Sequence, residues 1–134
     1  MKAIPKVDKY MATSPHTIGV DQPLSQAHAI MHRYSIRHLP VLSGGKLVGV
    51  LTDRDLHLVE SLKDVDPDKV TVEDAMTAEP YTVSPHAALD EVASEMAEHK
   101  YGSAVVMDNN HVVGVLTTVD IARALADILR QRFH

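Results

Sequence analysis

Leu24, Ala27, Met31 and Tyr34 recur at intervals of three and four, the period of one helix face, and predict a helix. Leu39-Pro40-Val41-Leu42 and the stretch from Lys46 to Leu51 read as short strands. The turn Ser43-Gly44-Gly45 between them makes a β-hairpin. A short β stretch, His16-Thr17-Ile18, follows Pro15 and precedes the helix. A second helix is predicted after Thr52, ending near Leu62. The order is strand, helix, strand, strand, helix, and it then returns. Leu89, Val92, Met96 and His99 repeat the helical spacing, and Asp108-Asn109-Asn110 is the second hairpin turn. A long last helix starts after Thr117 and runs through Ile121, Leu125 and Ile128.

The return is a duplication in register. Shifted by about 65 residues, Met11 falls on Met76, Pro15 on Pro80, Thr17 on Thr82, Leu24 on Leu89 and Met31 on Met96. Val48-Gly49-Val50-Leu51-Thr52 meets Val113-Gly114-Val115-Leu116-Thr117, and Asp55 meets Asp120, with no gap between Met11 and Leu56. The boundaries expected are repeat 1 over 7–62, a charged linker over 63–69 and repeat 2 over 70–132. Thr71-Val72-Glu73-Asp74 opens a short helix with a capping pattern. One unit of this size is too small to bury a sheet face and two helices alone. The expectation is therefore one α/β (α+β) domain of two β-α-β-β-α repeats, packed by pseudo-two-fold symmetry.

Composition narrows the function. Hydrophobic residues at 45% and charged residues at 23% are the balance of an ordinary soluble chain, so no segment is assigned to disorder. Without Trp, the core must come from Val, Leu, Ile, Ala and Met. A net charge of −5 with no basic stripe argues against duplex nucleic acid. The absence of Cys excludes disulfides, thiolate catalysis and Cys-based zinc sites. No apolar run after Met1-Lys2-Ala3-Ile4-Pro5-Lys6 suits a signal peptide or membrane span, and a cytoplasmic protein is expected.

Two motifs carry a family resemblance. Ile36-Arg37-His38-Leu39-Pro40-Val41 is followed, after the turn, by Gly49-Val50-Leu51-Thr52-Asp53-Arg54-Asp55. The second copy opens with Met76-Thr77-Ala78-Glu79-Pro80-Tyr81-Thr82-Val83. This pattern, duplicated from about Val7 to Leu129, resembles tandem cystathionine-β-synthase-type (CBS) domains, the Bateman module. The resemblance implies clefts between repeats that bind AMP, ADP, ATP, S-adenosylmethionine or related ligands. It also implies a homodimer in many cases, and in some members a structural module that binds nothing.

Thr52 and Asp55 stand where a strand gives way to a helix. A helix N-terminus offers unpaired N–H groups and partial positive charge to a phosphate. A carboxylate there can accept both ribose hydroxyls. The resemblance makes Asp55 and Asp120 ribose anchors with Thr52 and Thr117 as partners. Thr-x-x-Asp is equally a capping box, its cap residue contributing roughly 0.5–2 kcal/mol, and the two roles are compatible. The resemblance assigns Arg37 and His38 to phosphate. Arg54 is placed either to face the cleft or to sit solvated at the helix start. The matched Gly102, Ser103 and Val119 carry no charge, so unequal sites are expected. Thr17 and Ile18 with Ile36, and Thr82 and Val83 with Tyr101, are the positions for adenine, base strand and ribose Asp coming from different repeats.

Nine His residues raise the question of a metal. His28 and His32 share a helix face but have no third ligand in pattern, and a solvated or dimer-facing pair is expected. The matched Met11, Met31, Met76 and Met96 are explained by packing. No nucleophile–base pair, dinucleotide glycine fingerprint or P-loop is present, so no catalysis is expected. The leading expectation is an adenosine-nucleotide sensor acting on a separate effector protein. A structural dimerisation module, or a sensor of another adenosyl ligand, is the alternative.

Overall fold

The computed structural model describes residues 3–13 and 16–133; Met1, Lys2, Ser14, Pro15 and His134 lie outside them. A 3₁₀ turn (Val7–Lys9) leads to β1 (Ala12–Thr13), β2 (Ile18–Gly19), α1 (Leu24–Tyr34), β3 (His38–Ser43), β4 (Lys46–Thr52) and α2 (Asp53–Glu60). The series repeats as α3 (Val72–Ala75), β5 (Thr77–Ala78), β6 (Thr82–Val83), α4 (Leu89–His99), β7 (Ser103–Asp108), β8 (His111–Thr117) and α5 (Thr118–Phe133). The predicted helices and hairpins are present. Ser43 and Asp108, read as turn residues, are paired strand ends opposite Lys46 and His111. The turns are two residues long, Gly44-Gly45 at φ 56° and 83° and Asn109-Asn110 at φ 52° and 65°. Two positive φ values in succession are the hairpin geometry whose twist matches that of the strands, which selects Gly and Asn.

The chain forms two compact units, one of residues 16–80 and the other of 3–13 with 81–133. The first holds the sheet β2-β3-β4-β5, the second β1-β8-β7-β6. The openings of the two repeats are therefore exchanged: Val7 to Thr13 completes the sheet of the second repeat, and Val72 to Ala78 that of the first. The bonds that fasten them match across the duplication. Val7 N–H donates to the Ala87 carbonyl at 3.0 Å, and Val72 N–H to that of Gln22 at 2.9 Å. Leu89 N–H reaches the Pro5 carbonyl at 2.9 Å, and Leu24 N–H that of Val70 at 2.9 Å. The last two bonds have a local cause. Pro23 and Ala88 stand at the N-caps of α1 and α4 without a side-chain cap, so backbone carbonyls satisfy donors that every helix start leaves open.

Each unit has its own apolar core. One is built on Ile18, Leu24, Ala27, Met31, Leu39, Val41, Leu51, Leu56 and Val72. The other gathers Val7, Tyr10, Leu89, Val92, Met96, Ala104, Val106, Leu116 and Ala124. Val7 and Val72, the exchanged residues, are fully buried. Burial, then the nearby Asp127 carboxylate of α5, pushes the Tyr10 hydroxyl pKa up. No described helix is long and apolar enough to cross a membrane.

Candidate functional site

In the unit of residues 16–80, β4 ends and α2 begins at Thr52. Its extended backbone (φ −109°, ψ 161°) turns its side chain onto the helix start. Asp55 N–H donates to Thr52 Oγ1 at 3.1 Å, and Thr52 N–H donates to Asp55 Oδ2 at 3.0 Å. The capping box is thus formed. Asp53 N–H donates to the Arg37 carbonyl at 3.0 Å, tying the approach to β3 to the same corner. His38 pairs with Thr52 across the hairpin. The structure therefore brings Arg37, His38, Thr52 and Asp55 together, with the exposed Arg54 inside the turn. Arg37 Nε lies 4.0 Å from the Asp53 carboxylate, but its side chain is 76% exposed, so the pair holds it only weakly.

The unit of 3–13 with 81–133 has the same corner. Thr117 donates to Asp120 Oδ2 through its N–H at 2.8 Å and its hydroxyl at 3.1 Å, and Asp120 N–H donates back to Thr117 Oγ1 at 3.3 Å. Thr118 N–H donates to the Gly102 carbonyl at 3.2 Å, and Ser103 pairs with Thr117. The cations of the first corner have no counterpart at Gly102, Ser103 and Val119. A different one is present: Arg123 Nη1 donates to Asp120 Oδ1 at 3.1 Å. It stands at no position matched to a charge in the first copy, although Asp-x-x-Arg on a helix is a recognisable i, i+3 pair.

The positions assigned to adenine are less uniform. Ile18 is buried in its core, Thr17 and Ile36 are half-buried, Thr82 is exposed and Val83 half-buried. Tyr101 stacks at 5.1 Å on Tyr81 and at 5.1 Å on His99. Burial first, then the Glu95 charge and Tyr101, raise the Tyr81 pKa. At the matched positions of the first copy, His16 stacks on Tyr34 at 3.8 Å. Neither stack was anticipated. A groove of about 440 Å³ runs along Thr17 to Asp21 and Leu42 to Gly45. It shares Thr17 and Ile18 with the predicted set but lies toward the hairpin turn, away from Thr52 and Asp55.

Of the His pair considered for a metal, His28 instead meets Glu60 of α2, Nδ1 to Oε1 at 3.0 Å. Glu95, Glu98 and His99, all exposed, bring three donor atoms within 4.8 Å of one another on α4.

The fold is a duplicated α+β module whose strand-to-helix corners each carry a Thr-x-x-Asp box. The family model described as CBS domain matches residues 7–59 and 72–127, and the chain belongs to that family as a CBS domain pair. It is 29% identical over 121 residues to an inosine-5′-monophosphate dehydrogenase of Korarchaeum cryptofilum, a match covering 90% of this chain and 24% of that enzyme. The chain thus spans about a quarter of the length of such a relative. Among solved structures, it resembles the CBS domain pair of protein MJ0100 in complex with 5′-methylthioadenosine and S-adenosyl-L-methionine. That match has a TM-score of 0.84, 28% identity and coverage of 93% and 98% of the two chains. CBSX2 in complex with AMP matches with a TM-score of 0.80 and 25% identity, over 92% and 97%.

Proposed function

We propose that this CBS pair is a regulatory module that binds an adenosine nucleotide, AMP, ADP or ATP, and passes its occupancy to a partner protein without catalysing a reaction. Thr52 with Asp55 and Thr117 with Asp120 anchor the ribose. Arg37, His38 and Arg54 meet phosphate. Thr17, Ile18, Ile36, Thr82, Val83 and Tyr101 border the base, and the module works in the cytoplasm. The observation that supports this reading is the duplicated corner, where a Thr and a helix start hold an Asp carboxylate in both copies. Adenosyl ligands in the structures of two relatives support the ligand class.

The test is a thermal-shift panel of AMP, ADP, ATP, S-adenosylmethionine, NAD and cyclic dinucleotides. A ligand that binds only the folded state adds about 2.7 kcal/mol at a hundredfold excess over Kd. That should raise Tm by several degrees in a chain of this size. If millimolar AMP, ADP and ATP all leave the melting curve unmoved, the structural-module reading replaces this one. S-adenosylmethionine moving it alone would change the ligand.

The module is also proposed to be a homodimer. Val119, Leu125, Ile128, Leu129 and Phe133 are exposed apolar residues on α5, more than a surface helix of its own unit requires. Light scattering at high micromolar concentration should give twice the chain mass; a monomer there refutes it.

A further inference from the structure

The residue three places beyond each ribose-anchor Asp differs between the copies. On a helix that residue lies beside the Asp. On α2 it is Leu58, 67% exposed, with no hydrogen bond to offer. On α5 it is Arg123, whose Nη1 sits 3.1 Å from Asp120 Oδ1. Both oxygens of Asp120 are therefore engaged, Oδ2 by the Thr117 N–H and hydroxyl and Oδ1 by the guanidinium. The Arg123 side chain is 60% exposed and that of Asp120 only 10%, so a cation free to move on its solvent side covers a largely sheltered carboxylate. A ribose diol asks that same carboxylate for two acceptor positions, and the guanidinium already holds one oxygen.

Resting on the ribose-anchor reading above, we propose that Arg123 is an autoinhibitory latch: it competes with the ribose diol of an adenosine ligand for Asp120 and so lowers affinity at that corner, a restraint absent from the Asp55 corner. With its cation on the solvent side such an ion pair is weak, and releasing it should tighten binding by roughly 1.5- to 5-fold. Screening by salt should narrow the gap.

Calorimetry with adenosine, 2′-deoxyadenosine and AMP tests the latch. Asp55→Asn silences the first corner, and Arg123→Leu copies Leu58 onto the second. The double variant D55N/R123L should bind adenosine more tightly than D55N by the factor above, with no gain for 2′-deoxyadenosine. In a D120N background, L58R should weaken adenosine at the Asp55 corner; this arm keeps the test open should R123L melt early. Equal adenosine affinities with and without Arg123 overturn the latch. So does weaker AMP binding in R123L, which would make the guanidinium a phosphate donor. Absence of binding by the wild-type chain to all three ligands refutes the ribose-anchor reading itself. Binding by the wild type with no effect of either Arg123 or Leu58 removes the latch alone.

Discussion

Thr52 and Asp55 satisfy one another's backbone donors, as do Thr117 and Asp120, so each pair has a structural role whether or not a ligand binds. Substituting Asn separates that role from recognition, because its amide oxygen still accepts the Thr N–H while the charge is gone. D55N and D120N should each cost well under the roughly 2 kcal/mol upper range of a helix cap, read from chemical unfolding. Losing a charged acceptor contributes about 1.5–3 kcal/mol, so nucleotide affinity at the altered corner should fall at least about tenfold by calorimetry. Affinity unchanged in both variants would leave capping as the whole role. At this scale the two Thr–Asp boxes were legible, because a duplicated Thr-x-x-Asp at a strand-to-helix junction has few geometric outcomes. Arg123 was not, since its counterpart in the first copy is the apolar Leu58 and the duplication therefore carries no charge there. The Tyr81–Tyr101–His99 stack needs Tyr81 brought against the segment that ends α4, which no local pattern reports.

The elements read from periodicity formed where expected, because three turns of apolar spacing or a hairpin with paired turn residues is strong local information. Two-residue strands carry no period: β1 and β5 went unread, and of the predicted stretch His16-Thr17-Ile18 only Ile18 is strand, in β2 (Ile18–Gly19). The trace of β1 and β5 in the sequence is a glycine. A Cβ on Gly49 would sit 2.6 Å from Met76 Sδ and 2.8 Å from the Thr77 carbonyl oxygen. On Gly114 it would sit 2.6 Å from Met11 Sδ and 2.8 Å from that of Ala12. Each central strand thus needs Gly where an exchanged opening crosses closely. G49A and G114A should each destabilise by about 1–3 kcal/mol, the range for overpacking. Trimming the sulfur with M76A in the G49A background should not restore stability, because the carbonyl clash stays. Wild-type stability in either single variant would mean the openings are not held this tightly.

The exchange of openings was hidden from the sequence for a related reason. The two copies present matching acceptors, Ala87 and Gln22, Pro5 and Val70, so an opening finds equivalent partners on either repeat. The path of the chain decides between them, and it leaves the units unlike in one respect. Residues 16–80 hold all of β2, α1, β3, β4, α2, α3 and β5 in one stretch, whereas 81–133 lack β1 and the Val7–Lys9 turn. Without that turn a core built around fully buried Val7 and nearly buried Tyr10 is left open. Against the expectation that one unit is too small to bury its own sheet, each has a core of its own. Units of this size are still marginal, so the missing segment should decide whether a fragment folds. A fragment of 16–80 should unfold cooperatively on heating, followed by circular dichroism, and one of 81–133 should show no cooperative transition. Joining 3–13 behind 133 through a flexible Gly/Ser linker should restore it, because the linker supplies the segment at high effective concentration. Cooperative unfolding of 81–133 alone, with the same midpoint as the joined form, would show that the opening is ornamental to that unit. A joined form that stays unfolded would show that the unit needs more than its own core.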